Sequence, residues 1–272
     1  MLKKIKQIAK IILLKKPTPI QFFESKLVTN ELIERYIKID QNHYEIELFS
    51  GTKLIVRNHE HSDYSVFKQI FNDEEYGLVL SIFKLNKNFK DQLINIIDAG
   101  ANVGYTSVYF AVNLKNVKIY AVEPSDKNAI VYQKNQDFLS NGSNLKLYQK
   151  ALSENDNKFY ETESNFRDGK DWSITTKEVE DGLLEGISIA KIIKENSLNY
   201  ISLLKIDIEG AERFIVKKEN DLSYLKITQI IAIEIHDEFN IRASIQDILI
   251  ENNFFLFESG ELTIGINKDL LL

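Results

Sequence analysis

The sequence contains no cysteine among its 272 residues. It can therefore form no disulfide bond, and it offers no thiolate nucleophile and no cysteine ligand for zinc. It also lacks any run of about 18 apolar residues, so we predict no membrane-spanning helix. Positive charge is scarce as well, because the net charge is −6, which disfavours broad binding to a phosphate backbone. We expect a cytoplasmic protein with no nucleic-acid partner.

Apolar residues are plentiful enough for one sizeable core. They make up 44% of the chain and include 16 Phe and 12 Tyr. A chain of this length fits one compact domain with an appendage better than two full domains. Because the residue pattern changes near residue 90, we predict an amino-terminal cap over residues 1–90 and the main domain over residues 91–272.

The first 16 residues differ in charge from the rest of the chain. They contain six lysines and no acid, and apolar residues recur among them at helical spacing. This pattern predicts a basic amphipathic helix that ends at Pro17 and Pro19. Such a helix could lie on an anionic membrane at its inner face, dock on a partner, or pack on its own domain. The lysines interrupt the apolar stretch, which argues against a signal peptide.

Two further elements are predicted in the cap. Residues 44–58, YEIELFSGTKLIVRN, alternate apolar and polar residues on both sides of Ser50-Gly51, which predicts a β-hairpin. Residues 66–85, VFKQIFNDEEYGLVLSIFKL, have the pattern of one helix.

From Asn95 onward, apolar strands alternate with helices. We predict strands at 93–98, 117–124, 145–152, 201–208 and 229–236, helices from about Tyr105, from about Asp126 and at 243–252, and a closing strand pair at 254–258 and 262–266. This order is typical of an α/β fold with a doubly wound parallel sheet and an antiparallel edge. The polar segment 153–182 is predicted to be a mobile loop or a lid.

The stretch NIIDAGANVGYTSVYFA, residues 95–111, places two glycines between a strand and a helix. Gly100 allows a tight turn and Gly104 allows the helix to start close to the strand. A dinucleotide needs a third glycine where Asn102 stands, so a nicotinamide cofactor is disfavoured. Glu123, at the end of the next strand, could accept both ribose hydroxyl hydrogens. With Asp98, these residues predict a nucleoside ligand without a pyrophosphate; tight packing alone is the alternative.

Five motifs in order resemble the FkbM-type methyltransferases: DAGANVGYTSVYFA, AVEPSDKNAIVYQKN, KALS, LLKIDIEGAE and IEIH. The resemblance covers about residues 60–240, and it is less specific in the cap, where Asp63 and Tyr76 stand at positions that family members often share. It implies a class I, Rossmann-like sheet of seven strands whose last pair is antiparallel. It also implies S-adenosylmethionine as the cofactor, with S-adenosylhomocysteine as the product. The cofactor-binding residues that it implies are Asp98, Gly100, Ala101, Asn102, Gly104, Tyr105, Thr106, Glu123, Pro124, Ala151, Leu152 and Asp207.

The same resemblance implies methylation of a hydroxyl oxygen. Family acceptors include sugars of surface polysaccharides and glycolipids, so we expect a saccharide or another small molecule as the substrate. Two alternatives stay open: an NAD-dependent oxidoreductase or epimerase with the same sheet, and a non-catalytic scaffold that keeps the fold.

A hydroxyl is a poor nucleophile until a base or a metal takes its proton. Lys205, Asp207 and Glu209 share one strand face by alternation, and Glu234 and His236 share a face at the end of the next strand. We predict that these five residues form the catalytic site. The metal-free version, with the imidazole as the base, is favoured because no short loop of oxygen ligands accompanies them, and a divalent metal held by Asp207, Glu234 and His236 is the alternative. Ordinary structural roles are the alternative: Lys205 as a buried partner of Asp207, and Glu209 with Glu212 as acids at a helix start.

Overall fold

The computed structural model describes residues 16–140, 142–163 and 175–271. The chain divides into two compact units between Glu74 and Glu75. Apart from Lys16, the predicted basic helix of residues 1–16 lies outside the described residues. Within the described part of the chain, every helix is too short or too polar to cross a membrane.

The described part of the first unit combines two α-helices with a three-stranded antiparallel sheet. Its elements are α1 (Pro19–Thr29), β1 (Ile33–Lys38), β2 (His43–Leu48), β3 (Lys53–Arg57) and α2 (Asp63–Phe67), which continues as a π-helical turn at Lys68–Asn72. Pro19 begins α1, and the Thr18 side chain caps it in a capping box with Gln21. The predicted hairpin is confirmed, because β2 pairs antiparallel with β3 across Gly51, whose φ is +83°.

The prediction of one helix over residues 66–85 is wrong. The π-helical turn ends at Asn72, and Glu74 has a left-handed backbone with φ of 50°, which a right-handed helix cannot contain. A separate helix, α3 (Gly77–Leu85), follows in the second unit. Asp63 belongs to the first unit, where it forms a buried ion pair with Arg57 at 2.7 Å between Oδ1 and Nη2.

The second unit is built on a seven-stranded sheet. Its strands are β4 (Ile94–Ala99), β5 (Val117–Val122), β6 (Leu145–Tyr148), β11 (Ile201–Ile206), β12 (Thr228–Glu234), β13 (Phe254–Ser259) and β14 (Leu262–Asn267). Their order across the sheet is β13-β14-β12-β11-β4-β5-β6. All neighbouring pairs are parallel except β12 with β14 and β13 with β14. The predicted doubly wound sheet with an antiparallel end is thus confirmed.

Helices connect these strands, and the central strands are completely buried. The helices are α4 (Tyr105–Asn113), α5 (Asp126–Asp137), α6 (Ile189–Asn196), α7 (Glu212–Ile215), α8 (Arg242–Glu251) and α9 (Lys268–Leu271). Every residue of β4 and β11 is buried. Because β4, β11 and β12 lie side by side and run in parallel, their carboxyl ends meet at one edge of the sheet.

A second, smaller sheet corrects two predictions. Its strands β7 (Ala151–Leu152), β8 (Phe159–Glu163), β9 (Thr175–Val179) and β10 (Leu184–Ile187) have the order β7-β10-β8-β9. The predicted single strand over 145–152 is therefore two strands in different sheets. In the polar segment 153–182, predicted to be a mobile loop or a lid, residues 159–163 and 175–179 instead pair as the antiparallel strands β8 and β9, and residues 164–174 lie outside the described residues. Contacts between side chains on facing strands stabilise β8 and β9. The polar composition of the segment gives no hydrophobic pattern from which these strands could be predicted.

Candidate active site

The turn between β4 and α4, residues 100–104, contains two glycines, and we call it the glycine turn. Each glycine is required for a different reason. Gly100 has φ of +80°, and a Cβ there would lie 1.6 Å from the backbone oxygen of Asp207. Gly104 has φ of +87°, and a Cβ there would lie 2.6 Å from the ring of Tyr132. Any larger residue would therefore push the turn off the end of β11 or push α4 away from α5. The amides of Gly100 and Ala101 both donate to the Val122 carbonyl at 3.0 Å, which ties the turn to β5.

Asp98 lies in β4, two residues before Gly100, and its side chain helps to hold this turn in place. Its carboxylate is fully buried, accepts a 2.7 Å hydrogen bond from the Ser107 hydroxyl, and lies 3.3 Å from Lys205 Nζ. Lys205 Nζ also donates to the Gly100 carbonyl at 2.6 Å and lies 3.5 Å from Asp207 Oδ2. Burial lowers the pKa of Lys205, but the carboxylates of Asp207 and Asp98 outweigh it and raise that pKa to about 12. Lys205 is thus a fixed cation that joins the ends of β4 and β11.

Glu123 closes the other side of the turn. Its Oε2 accepts from the Asn102 amide at 2.8 Å, and its Oε1 accepts from the Ser125 amide at 3.0 Å and from the Asn128 side chain at 3.2 Å. Burial is the main influence and raises the pKa of Glu123 to about 7, although the three hydrogen bonds oppose it. Each carboxylate oxygen has two lone pairs, so Oε2 can accept one more hydrogen bond.

The turn contains a polar atom without a protein partner. Asn102 Oδ1 is buried, and no described residue donates to it. Asn102 has a left-handed backbone with φ of 50°, a conformation that costs energy for any residue but glycine. The strained backbone and the buried acceptor of Asn102 thus lie beside the Glu123 carboxylate with its free lone pair. Acceptors of this kind fit a ligand that carries hydrogen-bond donors, such as an amino group or ribose hydroxyls. Ala151 and Leu152, which form β7, are both buried.

A second group of polar residues follows β11 and β12. His236 Nδ1 lies 3.0 Å from Glu212 Oε1, and the same oxygen accepts from the His236 amide at 3.0 Å. His236 Nε2 lies 3.4 Å from Glu209 Oε2 and 3.6 Å from Glu234 Oε1. The imidazole therefore lies among three carboxylates, and both it and Glu212 are buried. We call these four residues the imidazole cluster.

The charges of the imidazole cluster shift two pKa values. Burial lowers the pKa of His236, but hydrogen bonds to Glu209 and Glu212 outweigh it and raise that pKa to about 10. Burial, followed by repulsion from Asp207, raises the pKa of Glu234 to about 8. At neutral pH the imidazole therefore carries a proton on both nitrogens and can only donate. The expectation that His236 accepts a proton is at odds with this charge state.

The structure brings most of the sequence-predicted catalytic residues together. Glu234, His236 and Glu209 are in direct contact, and the charge of Asp207 acts on Glu234. Lys205 lies apart from His236, on the Asp98 side. The expectation that Glu209 shares a strand face with Lys205 is wrong, because β11 ends at Ile206 and Glu209 lies in a turn with φ of 52°. Strand alternation does not apply beyond that point.

Glu212 is the residue that sequence reasoning undervalued. The sequence predicts no role for it beyond that of an acid at a helix start, yet its carboxylate is completely buried and lies 3.0 Å from His236 Nδ1. Its apolar neighbours Ala211, Ile215 and Val216 are a signal that could have indicated burial. In the described part of the chain, no group of three or more acidic, histidine or cysteine side chains has the geometry of a metal site.

A protein family and a known protein are similar to this chain in sequence. The model of the methyltransferase FkbM domain family matches residues 98–257, which include the glycine turn, Glu123 and the imidazole cluster. Methyltransferase sdnD of Sordaria araneosa is 27% identical over 222 residues, which cover 70% of this chain and 81% of that protein.

Similar solved structures are far more distant in sequence. The magnesium protoporphyrin IX methyltransferase of Synechocystis PCC 6803 with bound S-adenosylmethionine is 13% identical, with a TM-score of 0.41 over 72% of this chain and 80% of that one. A putative rRNA methylase of Clostridium thermocellum is 10% identical, with a TM-score of 0.44 over 71% of this chain and 94% of that one. Such low values say nothing about the acceptor. The family match extends over more than half of the chain, which therefore belongs to the FkbM methyltransferase family and uses S-adenosylmethionine as its cofactor.

Proposed function

We propose that this methyltransferase methylates oxygen, and that its acceptor is a sugar hydroxyl of a surface polysaccharide or glycolipid. The observation that carries the proposal is the imidazole cluster with Asp207, at the carboxyl ends of β11 and β12 and next to the glycine turn. A hydroxyl needs a base when it is methylated, and this cluster supplies carboxylates beside the turn. The choice of a sugar rests on the family resemblance.

In this proposal the glycine turn and Glu123 hold the cofactor. The Asn102 side chain and the start of α4 face its methionine end, Glu123 accepts from its ribose, and Ala151 with Leu152 flank its adenine. S-adenosylmethionine supplies a methyl group already activated by a positively charged sulfur. The protein therefore has to align the acceptor hydroxyl, exclude water and take up one proton.

Glu234 is the group best suited to take that proton. Its pKa of about 8 lies near neutral pH, where general-base catalysis is most effective. Its side chain is 18% exposed, so an acceptor can reach it, whereas the His236 side chain is 0% exposed. The protonated His236, whose Nε2 lies 3.6 Å from Glu234 Oε1, holds that carboxylate in place. Asp207, with a side chain that is 31% exposed, can orient the acceptor.

Methyl transfer should become faster as pH rises through about 8, the pKa of Glu234, because only the ionised carboxylate accepts a proton. Glu234→Gln should lower turnover by roughly 100-fold and remove this pH dependence, since general-base catalysis is worth about that much. The assay follows S-adenosylhomocysteine release with a panel of saccharide acceptors. NMR of the product then identifies the methylated atom.

Glu219→Gln is the matched control, because it removes the same charge from a side chain of the second unit that is 70% exposed. It should leave turnover nearly unchanged. A product methylated on nitrogen or carbon would contradict the proposed function. An unchanged pH profile in Glu234→Gln would remove Glu234 from its assigned role.

Cofactor binding should also depend on pH. Because burial raises the pKa of Glu123 to about 7, part of the population is protonated at neutral pH and accepts ribose hydrogens poorly. S-adenosylhomocysteine should therefore bind more tightly as pH rises from 6 to 8. Glu123→Gln should weaken binding by about 1.5 to 3 kcal/mol, the usual worth of hydrogen bonds to a charged group, and should flatten the pH profile. Calorimetry measures both effects.

Glu161→Gln provides the control for that experiment, because Glu161 is an exposed residue of β8. Its affinity should equal that of the wild type at each pH. Equal affinity in Glu123→Gln would instead rule out the ribose contact.

A further inference from the structure

A cavity of about 380 Å³ lies in the second unit beside the residues just described. One wall comes from the small sheet and includes Leu152 and Tyr160. The opposite wall comes from the chain that follows β11 and β12 and includes Ala211, Arg213 and Phe239. Its volume is in the usual range for sites that bind small molecules.

This cavity adjoins the imidazole cluster. Ala211 follows the Glu209-Gly210 turn, and a Cβ on Gly210 would lie 2.3 Å from the Phe239 ring, so the ring packs against that turn. The Phe239 amide donates to the His236 carbonyl at 3.2 Å. The chain segments that carry the imidazole cluster thus also supply one wall of the cavity, although Glu234 and Asp207 are not among its lining residues.

Arg213 is the unusual residue of the cavity. Its guanidinium lies 3.6 Å from the centre of the Phe239 ring and 4.6 Å from that of Phe214. It is half-buried, and no carboxylate of the described residues lies within 4.0 Å of it. A partly buried guanidinium without a carboxylate partner is costly, and it is the group that proteins use to bind oxygen anions.

The other charges in the cavity are arranged differently. Lys158 Nζ lies 2.5 Å from both Glu154 and Glu178, and these two carboxylates raise the pKa of Lys158. The acids of the cavity are thus already bound to a cation. The lining contains three cationic and two acidic side chains in all.

We propose that this cavity binds an anionic group on the acceptor, a sugar carboxylate or a phosphate ester, through the guanidinium of Arg213. The inference rests on the proposed function and specifies its substrate class. The Phe239 ring holds the guanidinium plane in place, so its N–H groups can form two parallel hydrogen bonds to one anion. The aromatic and apolar remainder of the lining packs against the sugar ring.

The test compares three probes on the full-length protein saturated with S-adenosylhomocysteine. The probes are glucose, glucuronate and glucose 1-phosphate, and calorimetry measures their affinities at low salt. The anionic probes should bind about tenfold more tightly than glucose or better, because hydrogen bonds between charged groups are the strong ones. The tighter of the two anions identifies the chemical source.

Variants separate the guanidinium from general charge effects. Arg213→Gln should remove the preference for anions, and Arg213→Lys should restore only part of it, because a lysine keeps the charge without the planar fork. Arg35→Gln is the control, since it removes the same charge from the first unit, where Arg35 pairs with Glu47. S-adenosylhomocysteine affinity should be unchanged in all three variants.

Several outcomes would overturn the inference: equal binding of the three probes, no binding of either anion, or an anion preference that survives in Arg213→Gln. Weaker S-adenosylhomocysteine binding in Arg213→Gln would overturn it too, because the cavity would then hold part of the cofactor. Methyl transfer to an atom other than oxygen, with the anion preference intact, would contradict the proposed function and support the Arg213 site.

Discussion

The Gly100→Ala variant is expected to lose cofactor binding and much of its stability. Alanine would have to adopt φ of +80°, and its Cβ would lie 1.6 Å from the Asp207 backbone oxygen. The left-handed backbone alone costs roughly 1–2 kcal/mol. The close contact adds more, because both partners are backbone at the ends of β4 and β11, where no flexible side chain can move aside. Urea unfolding and calorimetry with S-adenosylhomocysteine measure the two losses.

Gly260→Ala separates the contact from the backbone strain. Gly260 also has a left-handed backbone, with φ of +62°, but a Cβ there would meet nothing within 4 Å. It lies in the same unit, between β13 and β14. This variant should lose only the roughly 1–2 kcal/mol of strain and should bind the cofactor normally. Equal losses of stability in Gly100→Ala and Gly260→Ala would show that Gly100 does not lie close to the Asp207 backbone oxygen.

The sequence was sufficient to predict this turn because its pattern is local. An apolar strand, two glycines four residues apart and a helical pattern lie within one stretch of chain, although the contacts that require the glycines come from Asp207 and Tyr132. The strands of the large sheet were predicted for the same reason, since continuous apolar runs indicate burial on both faces. Glu123 followed from its place at the end of such a run.

Residues whose roles depend on distant partners were harder to predict. The partner of Glu212 is His236, 24 positions along the chain, and Lys205 reaches back to Asp98 and Gly100 on another strand. Alternation predicted that Lys205 and Asp207 face the same way, but it could not show where β11 ends. The protonation of His236 also depends on how many carboxylates surround it, which only the fold determines.

The small sheet shows a different limit. Its strands are short and polar, so their hydrophobic pattern is weak, and their pairing partners lie on either side of a long connection. Arg213 was passed over for a similar reason, because only the fold places Phe239 beneath it. Arg213 and Phe239 of the proposed acceptor cavity thus escaped prediction, while the residues of the cofactor turn were predicted.

Stability should fall as pH rises from about 7 to 10, because of the imidazole cluster. The pKa of His236 rises from its ordinary 6.5 to about 10 on folding, so its stabilisation is complete below pH 6.5 and is lost as pH passes through 10. The raised pKa values of Glu234 and Glu123 act in the same direction, since these buried carboxyls ionise less readily in the folded state. Thermal unfolding without cofactor, at intervals from pH 6 to 10, measures the slope.

Glu212→Gln should lower the free energy of unfolding by roughly 3–5 kcal/mol at pH 6, because it leaves a buried imidazolium without its closest carboxylate. The loss should shrink toward pH 10, where the wild-type imidazole also loses its proton, so the variant should show a flatter pH dependence. Glu251→Gln is the control: Glu251 pairs with Lys218 at 2.7 Å, but the two side chains are 59% and 55% exposed. Breaking that pair should cost no more than about 1 kcal/mol. Equal losses in the two variants, or a slope unchanged in Glu212→Gln, would show that the Glu212 carboxylate does not hold the proton on His236.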